Sequence, residues 1–309
     1  RSVEAYLRRN VRFSAEDETT LYAYRMGYHP LLMRRVARLV PSARLVARAH
    51  GRDLYEDRDG GAYLPMRQAT LRALDKVYFI SQHGLDWLSA RYPASISKVR
   101  LSHLGTEDRG VAEELGPRTP LRLVSCSGLA NVKRVPLLIE ALRQLPPEAL
   151  VEWTHYGDGP EMRECVSLAE SLPPNVAHSF AGHVDNAVVL DALRSGKHHA
   201  IINVSSSEGL PVSLMEAASF GIPMIATDVG GTAEIVENGV NGILLPADPT
   251  PQQVADAVKT MQTMGDAEYG RARVSARESW EHRFDSQKNY RGFVSELVRD
   301  AAIKSRGED

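Results

Sequence analysis

Two glutamates, Glu208 and Glu216, stand with seven residues between them, and their surroundings are unlike those of ordinary surface acids. The apolar run Ala200-Ile201-Ile202-Asn203-Val204 stops at Ser205-Ser206-Ser207. That places Glu208 in the loop at the carboxyl end of a buried strand, where open α/β sheets bind ligands. Pro211 suits the first turn of a helix that Gly221 and Pro223 stop. No Ser, Thr, Asp or Asn immediately precedes Pro211, so the amides near Val212, Ser213 and Leu214 are left to meet an anion such as phosphate. Glu216 falls inside that helix among Met215, Ala217 and Ala218. An acid in such company needs a polar partner, and a ligand hydroxyl would supply one.

The elements that must position these residues follow an alternating pattern. From residue 122 onward short apolar runs alternate with longer helix-patterned stretches, which predicts parallel strands joined by crossover helices. Strands are expected at 121–126, 150–156, 177–180, 200–204, 223–227 and 242–245, and helices at 135–145, 161–171, 186–194, 211–220, 232–237 and 251–264. The first 110 or so residues carry a weaker version, with strands expected at 44–49, 76–80 and 98–103. A polar link at 105–120 separates the halves. A last amphipathic helix follows Ser279 and runs to a polar tail at 306–309. The boundaries read from this pattern are 1–112, 113–282 and 283–309. Three strands are few for an open sheet, and the chain opens at Arg1 in a helical pattern, so the first half is expected to lack its opening strands.

With 309 residues, 43% hydrophobic and 25% charged, the chain can bury more than one core, so two domains are expected. A formal net charge of -2 gives no overall field that attracts nucleic acid or an anionic membrane, so any basic surface must be local. Cys126 and Cys165 are the two cysteines; they form no disulfide framework and read as packing residues of a cytoplasmic protein. No apolar run approaches the ~20 residues of a membrane span.

The segment from Ser207 through Glu216, continuing as Ala217-Ala218-Ser219-Phe220-Gly221-Ile222-Pro223-Met224, resembles the signature of retaining glycosyltransferases of family 4, which have the GT-B fold. The likeness continues through Asp228-Val229-Gly230-Gly231-Thr232 and Asn238-Gly239-Val240-Asn241-Gly242. Upstream, Tyr156-Gly157-Asp158-Gly159-Pro160 and Phe180-Ala181-Gly182-His183-Val184 are similar to family segments too. The fold this implies is α/β, with two Rossmann-like domains facing a cleft and the N-terminal one incomplete.

The resemblance implies a division of labour. Glu208 contacts the donor sugar, the backbone from Gly209 through Leu210, Pro211, Val212, Ser213 and Leu214 holds sugar and phosphates, and Glu216 binds the ribose hydroxyls. Gly182, His183 and Val184 lie beside the nucleobase. This agrees with the chemistry of the side chains, since carboxylates accept from hydroxyls and amides donate to phosphate. Lys133, in Asn131-Val132-Lys133-Arg134-Val135, falls where the family has its diphosphate lysine. The Gly-Arg dipeptide usual five residues earlier is Ser127-Gly128 here, so its arginine is missing, and Arg134 is the candidate for the second charge. His50, in Ala49-His50-Gly51-Arg52-Asp53, resembles the histidine that faces the donor sugar, while Asp53 and Tyr55 either hold the loop or touch acceptor.

What these roles imply is transfer of a sugar from a nucleotide diphosphate sugar to an acceptor hydroxyl with retention, without cofactor or metal. Glu208, His50 and Lys133 are then the catalytic candidates. Asp57-Arg58-Asp59 has the look of the acid pair of the other major glycosyltransferase fold but lacks its strand context, and His198-His199 has no third ligand nearby, so neither reads as a metal site. His83 and His103 read as framework. The stretch 49–55, with Tyr63-Leu64-Pro65 and Ser125-Cys126-Ser127, looks closest to bacterial enzymes of exopolysaccharide, capsule or lipopolysaccharide synthesis. The expected partners are a nucleotide-sugar donor and a saccharide or lipid-linked saccharide acceptor, and no nucleic acid. A lipid-linked acceptor would bring the protein to the inner face of the cytoplasmic membrane, where Arg8, Arg9, Arg34, Arg35 and Arg38 could offer peripheral contact, although a solvated helix face explains them better. Two alternatives stay open: a non-catalytic nucleotide-sugar-binding module or fragment, and a GT-B nucleotide-sugar epimerase or phosphorylase.

Overall fold

The computed structural model describes residues 19–305 except 41, 56–63, 65, 114 and 115, with side chains to 299. Arg8, Arg9, Asp57, Arg58, Asp59, Tyr63, Pro65 and the polar tail lie outside the described residues. The chain divides into two compact units, one of residues 1–104 and 287–309 and one of residues 105–286.

The first unit is built on a parallel sheet, β1 (Thr20–Ala23), β2 (Arg44–Ala49), β3 (Lys76–Phe79) and β4 (Val99–Leu101), in sequential order. Helices α1 (His29–Val36), α2 (Arg67–Ala73) and α3 (Gln82–Arg91) connect them. Successive side chains of a strand point to opposite faces, and β2 shows both destinations. Leu45, Ala47 and Ala49 join a core with Leu71, Leu74, Phe79 and Leu88, while Val46 packs with Tyr78 and Phe293. Periodicity predicted three strands here. The additional one, β1, is four residues long and buries only Ala23.

The second unit holds six parallel strands: β5 (Leu121–Cys126), β6 (Val151–Tyr156), β7 (Val176–Gly182), β8 (Ala200–Asn203), β9 (Met224–Thr227) and β10 (Gly242–Leu245). Their spatial order is β10-β9-β8-β5-β6-β7. From β5 the chain builds outward through β6 and β7, then returns to the other side of β5 and builds outward again. The connections point away from each other between β5 and β8, which opens a crevice at the carboxyl ends of these two strands. Helices α4 (Val135–Arg143), α5 (Met162–Ala169), α6 (Asn186–Arg194), α7 (Val212–Ser219), α8 (Pro251–Thr263) and α9 (Asp266–Arg283) accompany the strands. Every residue of β9 is buried, as burial on both faces requires. The predicted helix at 232–237 is a 3₁₀ turn, Thr232–Glu234.

Beyond Arg283 the sequence pattern predicted one helix from about residue 280, but two helices meet there. The Thr106 amide donates to the Phe284 carbonyl at 2.9 Å and the Ser286 amide to the Thr106 carbonyl at 3.1 Å. This strand-like exchange interrupts the helical ladder, and the final helix, α10 (Ser286–Ser305), starts afresh. It carries Phe293 to the first unit's sheet, where the Arg48 guanidinium lies 4.3 Å from the ring centroid. Among the described residues no helix is long and apolar enough to cross a membrane.

Burial depresses three histidines of the second unit, His155, His198 and His199, to about 4 each. A base whose folded pKa lies below its unfolded value is neutral when folded and protonated when unfolded, so its contribution to stability is lost as pH falls. The urea midpoint is therefore expected to drop steadily as pH is lowered from about 6.5 toward 4, and His199→Gln is expected to flatten that slope.

Candidate functional site

The crevice between β5 and β8 is where the sequence placed its chemistry. After β5 the chain makes a 3₁₀ turn, Asn131–Lys133, and after β8 it enters the loop that carries Glu208. The Lys133 Nζ donates to Glu208 Oε1 at 2.6 Å, although 75 residues separate them. Asn203, the last residue of β8, donates from Nδ2 to the same oxygen at 3.2 Å and accepts the Ser205 amide at 2.9 Å. Glu208 is buried at 7% exposure and would be costly to desolvate without these donors. Its backbone is as tightly held: Gly230, at φ +56°, approaches so closely that a Cβ there would lie 1.8 Å from the Glu208 carbonyl oxygen. Only glycine tolerates both that torsion and that approach.

Arg134 follows Lys133 in the left-handed region, φ +49°, a conformation a side chain enters at some cost. Its guanidinium donates to the Val204 carbonyl at 2.7 Å, the Ser205 carbonyl at 3.0 Å, the Ala247 carbonyl at 2.9 Å and Asp248 Oδ1 at 3.0 Å. The side chain thus ties the β5 turn to the segments after β8 and β10. The Ser206 amide adds a second tie, donating to the Val132 carbonyl at 2.8 Å.

Pro211 is the N-cap of α7, and no side chain caps the helix. The amides of Val212, Ser213 and Leu214 therefore begin the helix without side-chain acceptors, as the sequence pattern predicted. Gly209 is anchored by its carbonyl, which accepts the Gly231 amide at 2.9 Å, and Leu210 is buried beside it. Within α7, Glu216 is buried, and that burial raises its pKa against the opposing effects of an Asn186 hydrogen bond and the Arg109 charge. Asn186, the first residue of α6, donates to Glu216 Oε1 at 3.1 Å. Cys126 ends β5 nearby. Burial and then the Glu216 charge push its thiol up to about 11, so it stays protonated.

At the end of β7, Gly182 adopts φ +67°, and its carbonyl accepts the Gly157 amide at 2.9 Å. His183 is exposed and Val184 half-buried in the short connection to α6.

In the first unit, His50 follows β2. Its Nε2 lies 3.0 Å from the Tyr24 carbonyl. A carbonyl only accepts, so Nε2 carries the proton and Nδ1 keeps a lone pair. Burial, then Arg25, lowers this histidine to about 4, which keeps it neutral at physiological pH. Asp53 accepts the Met26 amide at 2.6 Å and the His50 amide at 3.3 Å, and so holds the loop. The Tyr55 hydroxyl is 2.8 Å from His83 Nδ1. His199 accepts the Arg122 amide at 2.9 Å.

Of the residues singled out from sequence, Lys133, Arg134, Glu208, Gly209 and the start of α7 gather at the switch point of the second unit. His50 belongs to the first unit. Sequence reading missed Asn203 and Asn186. Asn203 had a signal, being the one polar residue in an apolar strand. Asn186 had none, because its partner lies 30 residues away.

Residues 120–263 match the family model described as glycosyl transferases group 1. N-acetyl-alpha-D-glucosaminyl L-malate synthase of Bacillus anthracis is 30% identical over 58% of this chain and 46% of its own length. The amylovoran biosynthesis glycosyltransferase AmsK of Erwinia amylovora is 25% identical over 65% of this chain and 51% of its own. The chain thus spans about half the length of these curated relatives. Among solved structures, Anabaena HepE in complex with UDP-glucose superposes with a TM-score of 0.69 at 20% identity, covering 91% of this chain and 78% of that one. The fold is GT-B.

Glu216 generates a stability prediction. An acid whose folded pKa is raised above 4.5 binds its proton more tightly when folded, so stability falls as pH rises from about 4.5 through the folded value. Glu216→Gln is expected to raise the thermal midpoint at pH 7 and to leave it unchanged at pH 4, as scanning calorimetry at the two pH values would read.

Proposed function

We propose that the chain transfers a sugar from a nucleoside diphosphate sugar to an acceptor hydroxyl, with retention, in the synthesis of a bacterial surface polysaccharide, on the premise that residues 120–263 match the glycosyl transferases group 1 family model. The observation that carries this reading is the Lys133–Glu208 pair at 2.6 Å beside the uncapped start of α7. A cation, a carboxylate and a row of free amides in one crevice match the parts of such a donor. The ammonium of Lys133 has three donors, and one rests on Glu208, which leaves two for phosphate oxygens. The α7 amides add fixed dipoles that need no reorganisation as charge builds on the departing diphosphate.

Glu208 accepts from sugar hydroxyls, and its buried, already hydrogen-bonded Oε1 makes it an orienting group rather than a nucleophile. Retention then follows a front-face path in which the leaving diphosphate itself assists the acceptor. His50, kept neutral by burial, is assigned to face the donor sugar. Glu216 takes the ribose, and Gly182, His183 and Val184 border the base. Arg134 is assigned to holding the crevice, since its guanidinium is already spread over three carbonyls and Asp248. Enzymes of bacterial surface polysaccharide synthesis among the relatives, such as AmsK, support that process as the setting. A lipid-linked acceptor would bring the chain to an anionic membrane. In support, the exposed Tyr24, Tyr28 and Leu32 accompany Arg34 and Arg35 at the end of α1.

Lys133→Ala is expected to lower kcat by about a hundredfold or more, with Lys133→Arg recovering part of it, measured as release of nucleoside diphosphate during transfer. Proton NMR of the product is expected to show the donor's anomeric configuration; an inverted anomer would refute the retaining assignment.

A further inference from the structure

Glu216 reaches its hydrogen-bond partner from a helix that follows β8, and Asn186 reaches it from a helix that follows β7. The two side chains meet at 3.1 Å through Asn186 Nδ2 and Glu216 Oε1. Asn186 is exposed at the first position of α6, and Asp185 is the N-cap there. Glu216, in contrast, is buried to 8% exposure within α7. Among the described residues Glu216 Oε2 accepts no hydrogen bond, and the second amide hydrogen and the Oδ1 of Asn186 make none. An acceptor oxygen and an amide capable of both donating and accepting are therefore presented side by side.

That arrangement has a specific chemical complement. Vicinal hydroxyls on a furanose ring are separated by about a hydrogen-bond length, as are these two polar groups. One hydroxyl can donate to Glu216 while its neighbour exchanges a hydrogen bond with the free end of the Asn186 amide. A ring lacking one hydroxyl would leave one of the two side chains unmatched after its water is displaced, which weakens binding more than the loss of a contact alone. We propose that Asn186 is a specificity-determining residue that, together with Glu216, reads the two ribose hydroxyls of the nucleotide, so that the site selects ribonucleoside over deoxyribonucleoside diphosphates. This rests on the donor-site reading above and extends it to a residue on a different helix. The hydrogen bond from Asn186 also favours the ionised form of Glu216, the form that accepts from two directions.

The test uses the full chain and calorimetric binding of UDP, GDP, ADP and CDP, followed by the 2′-deoxy and 3′-deoxy forms of whichever diphosphate binds tightest. Wild type is expected to bind the ribonucleotide about tenfold or more tightly than each deoxy form. Asn186→Ala is expected to lose discrimination at one ribose position and retain it at the other, while its binding of the matching deoxy form stays within about twofold of wild type. Glu216→Gln is expected to reduce discrimination at both. Full discrimination by Asn186→Ala at both positions would overturn the proposal, and circular dichroism of each variant separates this from misfolding. If wild type binds none of the four diphosphates, the donor-site reading itself fails, and the inference falls with it. Asn186→Asp supplies a second readout. A carboxylate there repels Glu216 beside Arg109, so the variant's loss of affinity for the ribonucleotide relative to wild type at the same pH is expected to be larger at pH 8 than at pH 5, a comparison in which the titration of the diphosphate itself cancels; an equal loss at both would mean that the two groups do not act together.

Discussion

Arg134 holds three strand ends with a single guanidinium, and the crevice depends on it. The carbonyls of Val204, Ser205 and Ala247 and the carboxylate of Asp248 belong to segments that follow β8 and β10, whereas Arg134 itself follows β5. A parallel sheet whose strand order reverses leaves its middle connections diverging, and nothing in the sheet ladder holds their far ends together. Arg134 supplies that tie. The left-handed backbone it adopts is offset by four hydrogen bonds, and it places the preceding Lys133 ammonium over the β8 loop.

The second consequence of the reversal is electrostatic. A buried carboxylate needs donors, and Glu208 has two, from Lys133 and Asn203, drawn from both sides of the switch point. Glu216 has one, from Asn186, and burial raises its pKa against that hydrogen bond. The two acids differ in how far the protein has satisfied them in advance. Oε1 of Glu208 takes two donors and Oε1 of Glu216 takes one, while among the described residues Oε2 of each accepts none. Buried polar groups left short of partners destabilise a fold, and they persist where a ligand completes them.

The first unit shows the same logic in a neutral form. His50 lies at the end of β2, as Glu208 follows β8, and burial keeps it uncharged. Its proton is committed to the Tyr24 carbonyl, so the remaining nitrogen can only accept. Asp53 and Tyr55, whose roles were open from sequence, spend their polar atoms on the amides of Met26 and His50 and on His83. They hold the loop that presents His50.

Local pattern by itself determined most of the second unit's elements, because buried parallel strands are continuous apolar runs and their crossover helices are amphipathic. It also determined that Glu208 ends a strand and that α7 begins uncapped, since both are properties of neighbours in the chain. It did not reveal β1, a strand of four residues of which only Ala23 is buried, or the break before α10, which arises from pairing with Thr106 far away in sequence. Nor did it distinguish Lys133 from Arg134. As adjacent basic residues they look alike, and the left-handed turn at Arg134 sends one to the Glu208 carboxylate and the other to the backbone carbonyls. Strand order was likewise silent, because hydrophobic periodicity records which face of an element is buried and not which element lies beside it. Only the tertiary structure decided that β5 and β8 are neighbours, and that adjacency is what joins Lys133 to Glu208.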